Sequence, residues 1–168
     1  AFYLEPHHPD LLDFLELKKN FGLETERARD LFLALWVSDL FMKQVEAKKD
    51  WYFLCPDKCP GLNEAYGEEY EKLYWKYVKE EKFTKKIPAQ EVMKAILEAQ
   101  IETGVPYIAF KDSINKKSNQ KNLGTIKSSN LCIEIMQYSN SKEYATCNLA
   151  SIPINKYLVP FNPTEEFT

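Results

Sequence analysis

Few residues in the chain have the type and spacing that chemistry needs. The densest group is Ser128-Ser129-Asn130-Leu131-Cys132-Ile133-Glu134-Ile135. The Cys132 thiol can act as a nucleophile or carry a radical, the Glu134 carboxylate can act as a general base, and the Asn130 amide can orient a substrate by hydrogen bonds. In an extended segment, residues at i, i+2 and i+4 point the same way. Residues 130–136 are therefore expected to form a strand that presents Asn130, Cys132 and Glu134 to one cavity, with Leu131, Ile133 and Ile135 anchoring the other face. An ordinary amphipathic strand with a cysteine on its solvent face explains the same alternation, and on pattern alone it is the better explanation.

The other candidates are weaker. Cys147 sits in Thr146-Cys147-Asn148-Leu149-Ala150-Ser151, expected to be a further strand. Its thiol reads either as a core cysteine or as a redox partner oxidised and re-reduced beside a pocket. Cys55 and Cys59 bracket Pro-Asp-Lys, but a structural zinc site takes four ligands, commonly as two paired clusters. Only His7-His8 or the distant Cys132 and Cys147 could complete one, at no recognised spacing. No metal site is expected, and the two thiols read as incidental members of a rigid Pro-rich loop. His7 and His8 read as turn polarity and packing. No serine sits in a nucleophile elbow, and no Gly-rich loop could cradle phosphate.

The elements that must position these groups alternate between strand and helix. Phe2-Tyr3-Leu4 reads as a strand stopped by Pro6, and Pro9-Asp10 opens a short helix with Leu11, Leu12, Phe14, Leu15 and Leu17 apolar, ended by Asn20 and Gly22. Thr25 is the expected N-cap of a second helix over 25–48, whose apolar middle, 31–37, would be buried on several faces. Trp51-Tyr52-Phe53-Leu54 reads as a strand, and 68–82 as a charged, half-exposed helix bearing Tyr and Trp. Pro88 suits the first turn of a helix that carries Val92, Ile96, Leu97 and Ala99 and stops at Gly104. Residues 105–110 are β-like, 111–129 polar, and 144–154 a last apolar run. The pattern predicts an α/β architecture with largely parallel strands and one or two antiparallel pairings.

Composition narrows the class further. The 168 residues are 45% hydrophobic and 14% aromatic, which supports one packed core and argues against disorder. The net charge is -3, and Arg27 and Arg29 are the only arginines among 22 basic residues, so no direct nucleic-acid binding is expected. No run approaches the roughly 18 apolar residues of a membrane span. No charged-then-apolar leader opens the chain, and four cysteines are too sparse for a disulfide-stapled scaffold. A reducing, cytoplasmic compartment is the expectation. The opening Ala1-Phe2-Tyr3-Leu4, without Met, reads as a cut edge.

Several separate motifs, in order, resemble the large catalytic subunit of class I ribonucleotide reductase. They are Tyr3-Leu4-Glu5-Pro6, Leu15-Glu16-Leu17-Lys18-Lys19-Asn20, Arg27-Ala28-Arg29-Asp30-Leu31-Phe32 and Cys59-Pro60-Gly61-Leu62. The long run from Lys117 through Asn122-Leu123-Gly124-Thr125-Ile126-Lys127 to Ile135 is similar to that family's active-site finger loop, and Ala145-Thr146-Cys147-Asn148-Leu149-Ala150-Ser151 matches as well. The resemblance covers nearly the whole chain.

That resemblance implies an α/β fold, part of a ten-stranded α/β barrel, with a central finger loop at about 118–136. It implies reduction of ribonucleoside diphosphates to 2′-deoxyribonucleoside diphosphates, the precursors for DNA replication. Cys132 would become a thiyl radical and abstract the 3′-hydrogen, Glu134 would take the 3′-hydroxyl proton, and Asn130 would bind the ribose, with Leu131 beside it. Cys147 would be one of two redox-active cysteines that reduce the 2′ position and end as a disulfide. The family's partners are a small subunit holding a metal-based radical, thioredoxin or glutaredoxin as reductant, a second large subunit in a homodimer, and nucleoside triphosphate effectors of an allosteric enzyme. The second redox cysteine, the effector loops, the phosphate-binding serines and the radical-relay tyrosines belong to family segments outside these 168 residues, so the chain alone is expected to be inactive. A non-enzymatic binding or scaffolding module built on the same fold is the alternative.

Overall fold

The computed structural model describes residues 1–158. Strand β1 (Phe2–Leu4) leads through a turn to helix α1 (Leu11–Glu16), whose Leu11 and Leu15, one turn apart, are buried. Instead of a long second helix, the chain makes a 3-10 turn (Glu24–Glu26), strand β2 (Leu33–Val37) and helix α2 (Asp39–Glu46). This overturns the helix expected over 25–48. The apolar run is continuous because β2 is the central strand of a parallel sheet, buried on both faces, and such a strand shows no alternation. Ser38, at the junction, is the true N-cap: its hydroxyl accepts from the Phe41 N–H at 3.3 Å.

Beyond α2 come β3 (Asp50–Leu54), α3 (Gly67–Lys79), β4 (Phe83–Pro88), α4 (Ala89–Thr103), β5 (Tyr107–Phe110) and α5 (Lys111–Lys117). A parallel sheet runs β1-β2-β5, with Phe2 opposite Leu33 and Leu35 opposite Ile108, while β3 and β4 form an antiparallel pair. The parallel and antiparallel pairings are as expected. Helix α4 ends at Gly104, whose φ of +77° suits a residue without a Cβ, and whose N–H donates to the Gln100 carbonyl. Residues 130–136 and 146–151, both expected as strands, belong to no strand. An extended segment needs a neighbour to take its backbone hydrogen bonds, and neither lies against a strand edge.

One face of the parallel sheet packs on the helices. Leu35 and Val37 meet Leu11, Leu40, Phe41, Val92 and Ile96 there. The aromatic centre is Trp51, edge-on to Phe41 at 5.0 Å and stacked on Tyr74 at 4.7 Å. Such pairs contribute about 0.5–1.5 kcal/mol beyond their burial. Trp51 also donates its indole N–H to the Pro6 carbonyl at 2.9 Å, which ties the turn after β1 to β3. Of the three tyrosines that α3 buries, Tyr74 reaches β3: it donates to the Tyr52 carbonyl and accepts from the Tyr52 N–H.

The other organising centre is polar. Lys111, the first residue of α5, is completely buried. Its ammonium donates to both Glu5 carboxylate oxygens at 2.9 Å and to the Leu62 carbonyl at 2.7 Å, and lies 4.6 Å from the centre of the Tyr70 ring. Three acceptors match its three protons, so Lys111 holds its charge although burial lowers its pKa. Burial pushes Glu5 up to about 7 against the pull of Lys111. Burial, and then the Lys111 charge, depress His7 to about 3. His7 is thus neutral, and its 3.4 Å approach to Glu5 is no ion pair; its Nδ1 and the Tyr70 hydroxyl are hydrogen-bonded at 3.0 Å.

Lys111→Met would leave Glu5 buried without its cation and should cost about 3–5 kcal/mol near pH 8. Glu5 binds its proton more tightly folded than unfolded, so it destabilises the fold progressively as pH rises from 4.5 toward about 7. The penalty of Lys111→Met should therefore shrink at pH 5, where Glu5 is protonated. Denaturant unfolding at the two pH values checks this, and an equal penalty at both would contradict the pairing.

Candidate active-site loop

The sheet face away from the helices carries one large side chain or a small gap from each strand: Tyr3 of β1, Trp36 of β2 and Ala109 of β5. Tyr3 meets Trp36 edge-on at 5.9 Å. The segment after α5 folds across this face, and Ile126, Ile133 and Met136 pack on it beside Ile114.

Side chains fix the segment along its length. Asn115 of α5, buried, clamps Ile126 from both sides: its amide donates to the Ile126 carbonyl at 2.9 Å, and its oxygen accepts from the Ile126 N–H at 2.7 Å. Thr125 donates to the Glu64 carbonyl at 2.6 Å, and Lys127 pairs with the Glu64 carboxylate. Gln120 accepts from the Tyr138 N–H at 2.6 Å, so the outgoing and returning limbs are joined where the segment leaves and re-enters. The result is a finger-like excursion pinned at its base, stem and underside.

The tip is a turn where alternation predicted a strand. Ile133 adopts φ +67°, unfavourable for a β-branched side chain, and its N–H reaches back to the Asn130 carbonyl at 3.4 Å. The Asn130 side-chain oxygen accepts from the Ile135 N–H at 3.2 Å, and the Ser129 hydroxyl donates to the Ile135 carbonyl at 2.6 Å. These bonds replace the neighbour strand that the segment lacks. They also turn Asn130 inward, so Asn130, Cys132 and Glu134 do not share the face expected of them. The three stay together on one tight tip, with Cys132 and Glu134 exposed and Ile133 directed onto the sheet. The anchoring set differs too: Leu131 is 46% exposed, and Ile126, Ile133 and Met136 do the packing.

Cys147 lies on an exposed stretch, and the described contacts do not join it to the tip. All four cysteines are free. Cys59 is buried, which raises its thiol pKa and keeps it unreactive, and its N–H donates to the Cys55 carbonyl at 2.8 Å in a tight loop turn. Among the described residues, no group of three or more His, Cys, Asp or Glu is placed to hold a metal ion, and no helix is long and apolar enough to cross a membrane. Alternation could not reveal the residues that hold the loop. Tyr3 reads as a strand residue and Asn115 as one polar residue among many.

The described residues form an α/β domain in which a parallel sheet packs on helices and a pinned, thiol-bearing loop crosses its other face. Comparison with known families makes the assignment specific. A family model described as ribonucleotide reductase, barrel domain, matches residues 1–168, and the chain belongs to that family. It is 58% identical over 158 residues to the ribonucleoside-diphosphate reductase large subunit of Danio rerio, covering 94% of this chain and 20% of that protein. It is 55% identical over 159 residues to the large subunit of Vaccinia virus (strain Copenhagen), covering 95% and 21%, and 56% identical over 167 residues to the large chain of Neurospora crassa, covering 99% and 18%. The chain spans about a fifth of the length of these curated relatives.

Asn115→Ala would leave the buried Ile126 N–H and carbonyl without their partner, at a cost of about 1–3 kcal/mol for each unsatisfied group. Amide hydrogen exchange at Ile126 should then accelerate at least about tenfold, the equivalent of ~1.4 kcal/mol. Unchanged protection of that amide would show that the loop is held elsewhere.

Proposed function

We propose that this chain is the finger-loop portion of a catalytic large subunit that reduces ribonucleoside diphosphates to 2′-deoxyribonucleoside diphosphates, the supply of DNA precursors. The observation that carries the reading is the loop tip. An exposed thiol sits between an amide and a carboxylate, on a loop pinned to the sheet face of a chain whose whole length matches the family model. The rest of the ten-stranded barrel would close around this face, and the loop at about 118–136 would lie at its centre.

In this mechanism Cys132, oxidised to a thiyl radical by way of the small radical-generating subunit, takes the hydrogen atom from C3′ of the ribose. Glu134 accepts the 3′-hydroxyl proton while the 2′-hydroxyl leaves as water. Two thiols, one of them Cys147, supply two electrons and two protons and end as a disulfide. The hydrogen then returns from Cys132 to C3′. Asn130 holds the ribose by its amide, and the Leu131 backbone lies alongside. The balance is one ribonucleotide and two thiols giving one deoxyribonucleotide, one disulfide and one water. Thioredoxin or glutaredoxin would re-reduce the pair.

The two cysteines have different tasks, and a sheltered interior suits the radical because water and stray reductants are excluded there. The four free thiols accord with a reducing, cytoplasmic setting. Homodimerisation and regulation by nucleoside triphosphates belong to the same proposal, carried by segments outside this chain.

In the full-length subunit with its small partner, Cys132→Ser should abolish reduction of a ribonucleoside diphosphate. Cys147→Ser should spare the radical step and stop sustained turnover after at most one equivalent of product. Product formation assayed with and without added reductant separates these outcomes. Full activity of Cys132→Ser would remove the thiyl assignment, whereas no reductase activity in the unsubstituted full-length subunit with its partner would favour a non-enzymatic module.

A further inference from the structure

The loop's polar contact with β1 runs through the Tyr3 side chain. The Tyr3 hydroxyl donates to the main-chain carbonyl of Asn130 at 2.6 Å. The same carbonyl receives the Ile133 N–H that closes the tip turn. It therefore accepts two hydrogen bonds, one that shapes the turn and one that fixes the turn against the sheet. No other side chain of the parallel sheet makes a hydrogen bond to residues 129–135 among the described residues. Elsewhere the tip rests on apolar contacts of Ile133 and Met136, which fill space without setting an angle.

We propose that Tyr3 is a positioning residue for the reactive tip: its hydroxyl sets the height and rotation of Asn130, and through the turn that of Cys132, over the barrel face. The inference deepens the ribonucleotide-reductase reading and rests on it. The tyrosine is itself well placed to be rigid. Its ring stands at 83° to Trp36, and β1 is held by β2 on one side and, two residues on, by the Glu5–Lys111 pair. A tip anchored to this rigid strand returns to one geometry after each turnover. A tip resting on Ile133 and Met136 alone would pivot. Burial, foremost, raises the Tyr3 phenol pKa against the opposing pull of the Ser129 hydroxyl, with the Glu134 carboxylate adding to the rise, so the hydroxyl stays protonated and keeps donating across the neutral range.

The test is Tyr3→Phe in the full-length subunit with its small partner, which keeps the ring against Trp36 and removes only the hydroxyl. kcat/KM for a ribonucleoside diphosphate should fall by about two- to tenfold, the range expected for one neutral hydrogen bond. Alkylation of Cys132 by iodoacetamide, read by mass of the modified peptide, should speed up by a similar factor, with the thermal midpoint unchanged. An unchanged alkylation rate overturns the proposal whether or not turnover falls, because the tip would then not depend on the hydroxyl. An unchanged kcat/KM overturns it as well. If instead Cys132→Ser retained turnover, the thiyl role of Cys132 would fall, while Cys132 alkylation in Tyr3→Phe would still report whether the hydroxyl holds the tip.

Discussion

Burying a lysine and a glutamate together is a demanding way to join a fold, because the cost of removing both charges from water is recovered only when every hydrogen-bonding position is filled. Lys111 meets that condition. Its three protons reach Glu5 and Leu62, and its charge sits against the Tyr70 ring. The next residue, Asp112, accepts from the Asp39 N–H at 2.6 Å with one oxygen and from the Gly67 N–H at 2.7 Å with the other, at the first residues of α2 and α3. One turn further, Asn115 fixes the loop through Ile126. A helix of seven residues thus connects the end of β1, the starts of two helices and the stem of the thiol-bearing loop.

That arrangement separates two tasks that conflict. A loop with an exposed thiol at its tip loses the packing that would hold it still. Here the exposed residues, Leu131, Cys132 and Glu134, are interleaved with inward ones, Asn130 and Ile133, and a positive-φ residue makes the interleaving possible. The chain accepts an unfavourable backbone conformation at Ile133 so that the residues on either side can face outward together. Rigidity comes from hydrogen bonds within the tip and from Tyr3 below it.

How much of this was legible in the sequence depends on where apolar residues report structure. Strands β1, β3 and β5 and helices α1, α3 and α4 follow from apolar periodicity and from punctuation by Pro6, Pro88 and Gly104. The run at 31–37 was read as helix because a strand buried on both faces and a buried helix look alike without alternation. Strand β4 escaped because it shows mostly polar residues outward, and α5 because its buried positions, Lys111, Asp112 and Asn115, are polar. At the site, Asn130, Cys132 and Glu134 were identifiable as types, and resemblance gave them roles. The turn that displays them was not identifiable, since its cause lies in hydrogen bonds that alternation does not encode.

The separations across α5 show how little of its stability is local. Its partners lie 106 residues away at Glu5, 73 at Asp39, 49 at Leu62 and 45 at Gly67. A seven-residue polar segment has little helical stability by itself. Its partners are supplied by both sheets and the intervening helices, and closing such long loops costs conformational entropy that local helical contacts do not repay. The tip is therefore secured through a segment whose own partners are all distant in sequence, so its hold depends on the core being in place.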